Sequence, residues 1–300
     1  MIVKKTIIVY SILLTLIAVG SSLAQQKTAL QIVESLKNPS KTNKTKVYYS
    51  PGYEKRALQL QAMIEEAVKF YERKLDIKQE INIAVLTPEQ WRQVGSQVPY
   101  GVPNVQGPPY VIFMAATTDN ATTQATMSLK EKTSAATLKK IKASGFRFEQ
   151  GAIESGDQLA LHELGHVLTR TFGINPANKW FSEFLATYFA YAYMKDHKPK
   201  QARLWEAMSY AYIDGIEPKY TALADFERLY FGVGLDNYGW YQAKFLLKGA
   251  EIQKKGKLQF LKKIKKSFPL TEKEPVSLET TLERLEKISP GFKAWSKELK

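Results

Sequence analysis

His162 and His166 stand four residues apart in the run Leu161-His-Glu-Leu-Gly-His-Val167. On a helix this spacing puts both imidazoles on one face, one turn apart, where both can reach a single ion. Zn²⁺ accepts histidine nitrogen at about 2.0–2.1 Å, and a catalytic zinc keeps three protein ligands and one open position. Glu163 is rotated from His162 by about 100° on the same helix. From there it serves poorly as a third ligand. It can instead reach a water on the metal, which is the place of a general base. The chain has no cysteine and three histidines, so the third ligand must be His197 or a carboxylate. Glu183 is the better candidate. It follows His166 by 17 residues, room for the end of one helix, a turn through Gly173 and Pro176, and one turn of a returning antiparallel helix. His197 lies in the polar run 195–200 and reads as a solvated residue at the end of that second helix.

The elements that must position these groups can be read from periodicity. The HELGH segment is flanked by Leu159, Leu161, Leu164, Val167 and Leu168, as a helix lining a core should be. From Gly156 onward the pattern predicts helices at 157–172, 179–195, 199–212, 222–231, 238–254, 257–267, 277–288 and 291–299. Gly173 sits where a glycine would end the first of them, and Ser277 can cap the seventh. Earlier in the chain, a short helix is expected at 28–37 and a longer one over 52–74. The apolar runs 81–86 and 110–116 read as strands. Residues 95–109 hold three glycines and four prolines and read as loop. Residues 117–150 read as loop with a helix near 134–142. Strands early and helices late predict an α+β fold with two lobes, about 45–150 and 151–300, after a flexible segment at 25–44.

Composition narrows the classes. The chain is 300 residues long, 44% hydrophobic and 24% charged, ordinary for a globular protein and unlike a disordered one. The absence of cysteine excludes disulfides, thiolate metal sites and a cysteine nucleophile. Residues 1–24 combine Lys4 and Lys5, an apolar stretch from Ile7 to Val19, and the small residues Ser22 and Ala24. That pattern predicts a secretory signal peptide; the alternative, an uncleaved N-terminal membrane anchor, is disfavoured by an apolar stretch shorter than the roughly 20 residues of a spanning helix. The expected protein is therefore exported, periplasmic or secreted, with no stable membrane insertion after cleavage. The net charge of +14 reads as a lysine-rich solvated surface that could touch an anionic surface. The segment 254–268 carries seven lysines, yet Leu258, Phe260, Leu261 and Ile264 give it the spacing of an amphipathic helix. No nucleic-acid motif accompanies it, and nucleic acid is not expected as a partner.

HELGH followed by Trp180-Phe-Ser-Glu-Phe-Leu-Ala-Thr-Tyr188 resembles the gluzincin metallopeptidases, with a peptidase MA-like catalytic domain. The second stretch is close to the W-x-x-E-x-[FL]-A-[ST]-Y pattern of aminopeptidase-N-type enzymes. Trp180, Glu183, Leu185, Ala186, Thr187 and Tyr188 match it. The resemblance implies a zincin-like, thermolysin-like two-lobed catalytic domain. It also implies one Zn²⁺ held by His162, His166 and Glu183, Glu163 as general base, and a peptide or protein substrate. It further implies a tyrosine that stabilises the oxyanion. Tyr238, which opens Tyr-Gly-Trp-Tyr-Gln-Ala-Lys-Phe, is the first candidate, with Tyr241 and Tyr230 as competitors. The family binds extended substrate along a strand edge, for which 110–116 is the candidate here. Where thermolysin-like relatives carry an aspartate four residues after the glutamate ligand, this chain has Thr187, so a carboxylate partner for the histidines is expected from elsewhere. The segment 151–155, Gly-Ala-Ile-Glu-Ser, resembles the Gly-Ala-Met-Glu-Asn clamp for a substrate's amino terminus. It lies much closer to His162 than in those enzymes. Glu154 therefore reads as a loop or helix-start acid near the site, which leaves endopeptidase and aminopeptidase action both open.

The expected function is an exported zinc metallopeptidase that hydrolyses peptide bonds with a metal-activated water. The alternatives are a catalytically inactive zinc-bearing binding or scaffold domain, and a basic surface-binding protein without metal.

Overall fold

A computed structural model describes residues 27–35, 39–41, 45–94 and 98–299. The expected signal peptide lies outside the described residues. Five strands form one sheet: β1 (Pro39–Lys41), β2 (Thr45–Tyr49), β3 (Ile81–Leu86), β4 (Asn104–Gln106) and β5 (Val111–Ala115), in the spatial order β1-β2-β3-β5-β4. The three central strands are parallel, with Val47 opposite Ile83 and Ile83 opposite Ile112. β1 and β4 are antiparallel at the two edges.

The central strands are apolar at both alternating sets of positions because both faces of the sheet are covered. Val47, Ile83, Val85, Ile112 and Met114 join the main core with helix α2 (Glu54–Leu75). On the other face Tyr48, Ala84, Leu86, Val111 and Phe113 meet Val33 of α1 (Ala29–Ser35) and Trp91 of α3 (Pro88–Gln93). α2 buries Ala57, Leu60, Ile64, Ala67, Val68 and Tyr71 at three- and four-residue spacing and ends at Asp76 with φ 55°.

Beyond β5 the described chain is helical. α4 (Ala121–Met127) and α5 (Ala135–Ala143) lead into α6 (Phe148–Thr171) and α7 (Lys179–His197). α8 (Pro199–Gly215), α9 (Leu223–Leu229), α10 (Leu235–Ser267), α11 (Leu278–Ile288) and α12 (Phe292–Glu298) complete it. α7 is the central helix. Trp180, Phe181, Phe184, Tyr188, Phe189, Tyr191 and Tyr193 are all fully buried, the mark of a helix surrounded by protein on every side. The molecule is thus a mixed α and β protein, mostly helical, with a small mixed sheet, in keeping with the α+β expectation.

Several boundaries differ from the sequence expectation. The HELGH helix begins at Phe148, so residues 151–155 form its second turn rather than a loop or a helix start. The short helix expected at 28–37 is present as α1, and the segment expected to be flexible at 25–44 also holds the edge strand β1. Residues 104–106, expected as loop among prolines and glycines, pair with β5. The two helices expected at 238–254 and 257–267 are both present, joined end to end in α10 across a kink at Lys257, whose φ of 44° and ψ of −141° are not helical. Gly173 does end α6, with φ 90°, and the Ser277 hydroxyl accepts the Thr280 N–H at 3.1 Å at the start of α11.

Candidate metal centre

The site is made where α6 and α7 cross. Gly173 turns the chain after α6, its N–H donating to Arg170 O at 2.9 Å and the Ile174 N–H to Thr169 O at 3.0 Å. α7 starts under Glu227, whose carboxylate accepts the N–H groups of Lys179 at 2.8 Å and Trp180 at 3.4 Å. A carboxylate there satisfies free donors and suits the positive end of the helix dipole. Glu183 lies one turn into α7 and returns beside the histidine pair, as the hairpin expectation required.

The ligand atoms converge. His162 Nε2 is 3.1 Å from Glu183 Oε2 and 3.2 Å from His166 Nε2, and His166 Nε2 is 3.6 Å from Glu183 Oε1. All three ligand atoms lie within 4.8 Å of one another. Two ligands bound tetrahedrally to one zinc at about 2.05 Å stand roughly 3.3 Å apart. The observed separations match that figure, and the donor set of two imidazole nitrogens and one carboxylate oxygen suits zinc. These residues therefore fit one metal ion.

The electrostatics of the protein groups are those of a site built to hold positive charge. Burial by itself would raise the Glu183 pKa. The charge of His166 and the close approach of both imidazoles outweigh it and hold the carboxyl well below its ordinary range. Burial opposes protonation of His166, but the Glu183 carboxylate prevails and lifts its pKa to about 9. Glu163 behaves oppositely. Burial raises its pKa above the ordinary value, opposed in part by His162 and His166, while the backbone N–H of Val105 on β4 favours its ionised form. Glu163 is 8% exposed and stands between the histidine pair and the edge strand.

Two tyrosines reach Glu183 from across the site. Tyr238 donates to Oε2 at 2.7 Å and Tyr230 to Oε1 at 2.6 Å. Burial, then the nearby Glu183 charge, pushes both phenols above their usual range, so both are protonated donors. Tyr241 is not part of the site. Its hydroxyl donates to Ala222 O at 2.8 Å within the packing around Phe226. His197 is likewise apart, exposed at the end of α7 against Phe70 and Tyr193. Glu154 faces Gln201 and Lys200 of α8, not the ligands.

Two features of the site escaped sequence reasoning. Thr187, expected only as a missing aspartate, itself meets His162: its Oγ is 3.0 Å from His162 Nδ1. Behind it, Gln242 of α10 accepts the Thr187 hydroxyl at 3.1 Å and donates to Glu183 Oε2 at 2.8 Å. A hydroxyl thus stands where a carboxylate was sought. The available signal for Gln242 was its place four residues after Tyr238, on the same helix face. The strand edge also needs correcting. β5 is bonded to β3 on one side and, over residues 111–113, to β4 on the other, so residues 111–113 offer no free edge. The edge near the ligands belongs to β4, whose Val105 faces Glu163.

The chain matches no family model, and neither curated proteins nor solved structures yield a match to it.

Proposed function

We propose that this protein is an exported zinc metallopeptidase with a zincin-like two-lobed catalytic domain. The observation that carries the reading is the convergence of His162, His166 and Glu183 at zinc-like separations, with Glu163 on the same helix turned toward a sheet edge. Zinc bound by these three residues would supply Lewis acidity toward a carbonyl oxygen and toward water. Glu163 takes the proton from the attacking water and delivers it to the leaving amine. Its raised pKa suits both halves of that task. Tyr238 turns its hydroxyl to the developing oxyanion. The outer edge of β4 offers main-chain groups to an extended peptide, which would add to the sheet as a further strand. That edge replaces β5 as the substrate-binding strand.

No helix among the described residues is long and apolar enough to cross a membrane. The experiment is zinc analysis of the purified protein and of its Glu183→Ala variant, followed by incubation with a peptide library. One zinc per chain, lost in the variant, together with peptide cleavage that Glu163→Gln abolishes, supports the reading. One zinc without cleavage of any peptide would turn it into a zinc-bearing binding domain. Absence of zinc after reconstitution would overturn both.

A further inference from the structure

The hydrogen bonds around Glu183 have a direction, and that direction reaches His162. Gln242 donates from its amide nitrogen to Glu183 Oε2 at 2.8 Å, and its amide oxygen accepts the Thr187 hydroxyl at 3.1 Å. An amide oxygen only accepts, so the single hydroxyl proton of Thr187 is spent on Gln242. Thr187 Oγ can then meet His162 Nδ1, 3.0 Å away, only as an acceptor. The proton of a neutral His162 ring is thereby placed on Nδ1, which leaves Nε2, the nitrogen beside Glu183 and His166, as the one free to bind a metal.

We propose that Gln242 is a positioning residue for the metal centre: through Thr187 it selects the His162 tautomer whose Nε2 can bind metal, and through its own amide it holds the Glu183 carboxylate in place. The inference rests on the metal reading of the site. Two of the three ligands are thereby joined by a neutral relay, Glu183–Gln242–Thr187–His162. A histidine ligand requires an outer partner to fix its tautomer and ring plane, and loss of such a partner typically weakens metal binding by about 10–100-fold. Here that partner is a hydroxyl, which can accept or donate, so Thr187 alone does not decide the tautomer. Gln242 decides it by consuming the hydroxyl proton.

The test is zinc affinity of the purified protein, measured by competition with a chelator of known strength, for Gln242→Leu, Thr187→Val, Thr187→Ser and the Gln242→Leu/Thr187→Val double variant. The expected result is a loss of about 10–100-fold in each of Gln242→Leu and Thr187→Val. Thr187→Ser should return to near the parental affinity. The double variant should be little weaker than Gln242→Leu alone, because that substitution already cuts the relay and also frees Glu183. Nitrogen-15 NMR of the His162 ring should show a protonated Nδ1 in the zinc-free parent and loss of that fixed tautomer in zinc-free Thr187→Val, which keeps the shape of the residue. Losses that add fully in the double variant would overturn the relay, as would parental zinc affinity in Thr187→Val. If the parent itself takes up no zinc, the metal reading fails and takes the relay with it. If the parent binds one zinc and the variants bind it equally well, the relay alone fails.

Discussion

Gly165, inside the HELGH turn of α6, faces the backbone of Ala186 on α7 so closely that a Cβ on residue 165 would lie 2.3 Å from the Ala186 carbonyl oxygen. This contact sets the separation of the two helices and hence the distance from the histidine pair to Glu183. Gly165→Ala must push α6 and α7 apart, since the atoms it meets are main chain and cannot rotate away. We expect a loss of stability of about 1–3 kcal/mol in urea unfolding. Zinc affinity should fall with it, because two ligands sit on one helix and the third on the other. Unchanged zinc affinity in this variant would show that the helix crossing does not hold the ligand geometry.

Glu163 and Glu183 should separate cleanly by mutation. Glu163→Gln removes the proton acceptor and leaves the ligands in place. Peptide hydrolysis should fall by about 10²–10⁴-fold while the protein retains one zinc. Glu183→Ala should lose both. A Glu163→Gln protein that still turns over at the parental rate would assign the base elsewhere.

The three candidate tyrosines now make distinct predictions. Tyr238 reaches Glu183 Oε2, the oxygen that His162 also faces, and Tyr230 reaches Oε1. Tyr238→Phe should lower kcat by about 10²-fold with little change in KM, as loss of one oxyanion donor does. Tyr241→Phe gives up only a bond to Ala222 O, costing about 1 kcal/mol of stability and leaving kcat alone. Steady-state kinetics of the three phenylalanine variants decides the order. A larger kcat loss in Tyr230→Phe would transfer the role to that residue.

Zinc binding should be coupled to a proton. In the folded protein His166 has its pKa lifted from 6.5 to about 9, so near neutral pH the metal must displace a proton from it. Apparent zinc affinity should rise by up to about tenfold per pH unit toward pH 9 and then level off. The sign for folding is the reverse. In protein stripped with a chelator, the raised pKa contributes stability that is full below about pH 6.5 and is lost as pH climbs through about 9. Titration calorimetry in buffers of different ionisation enthalpy measures the proton release. Release of no proton at pH 7 would contradict the protonated state of His166.

Residue spacing along single helices was enough to place His162, Glu163 and His166 together and to bring Glu183 back beside them. Such relations depend on helical periodicity and on the length of one connection, both of which are local. The ends of α6 and α11 were legible for the same reason, from Gly173 and Ser277. Only the tertiary structure decided the rest. Tyr230, Tyr238 and Gln242 lie 47, 55 and 59 residues beyond Glu183, and Tyr241 shares a helix with two of them. Which of these side chains turns toward the carboxylate depends on how α10 packs against α7, and no periodicity encodes that. Thr187 became the partner of His162 because a hydroxyl can accept a hydrogen bond there while donating its own to Gln242. β4 became the free edge because strand order is set by long-range pairing, and a three-residue strand among prolines leaves almost no apolar pattern to read. Spacing within an element is written in the chain, whereas the partner of a buried polar group is chosen by whichever distant element closes over it.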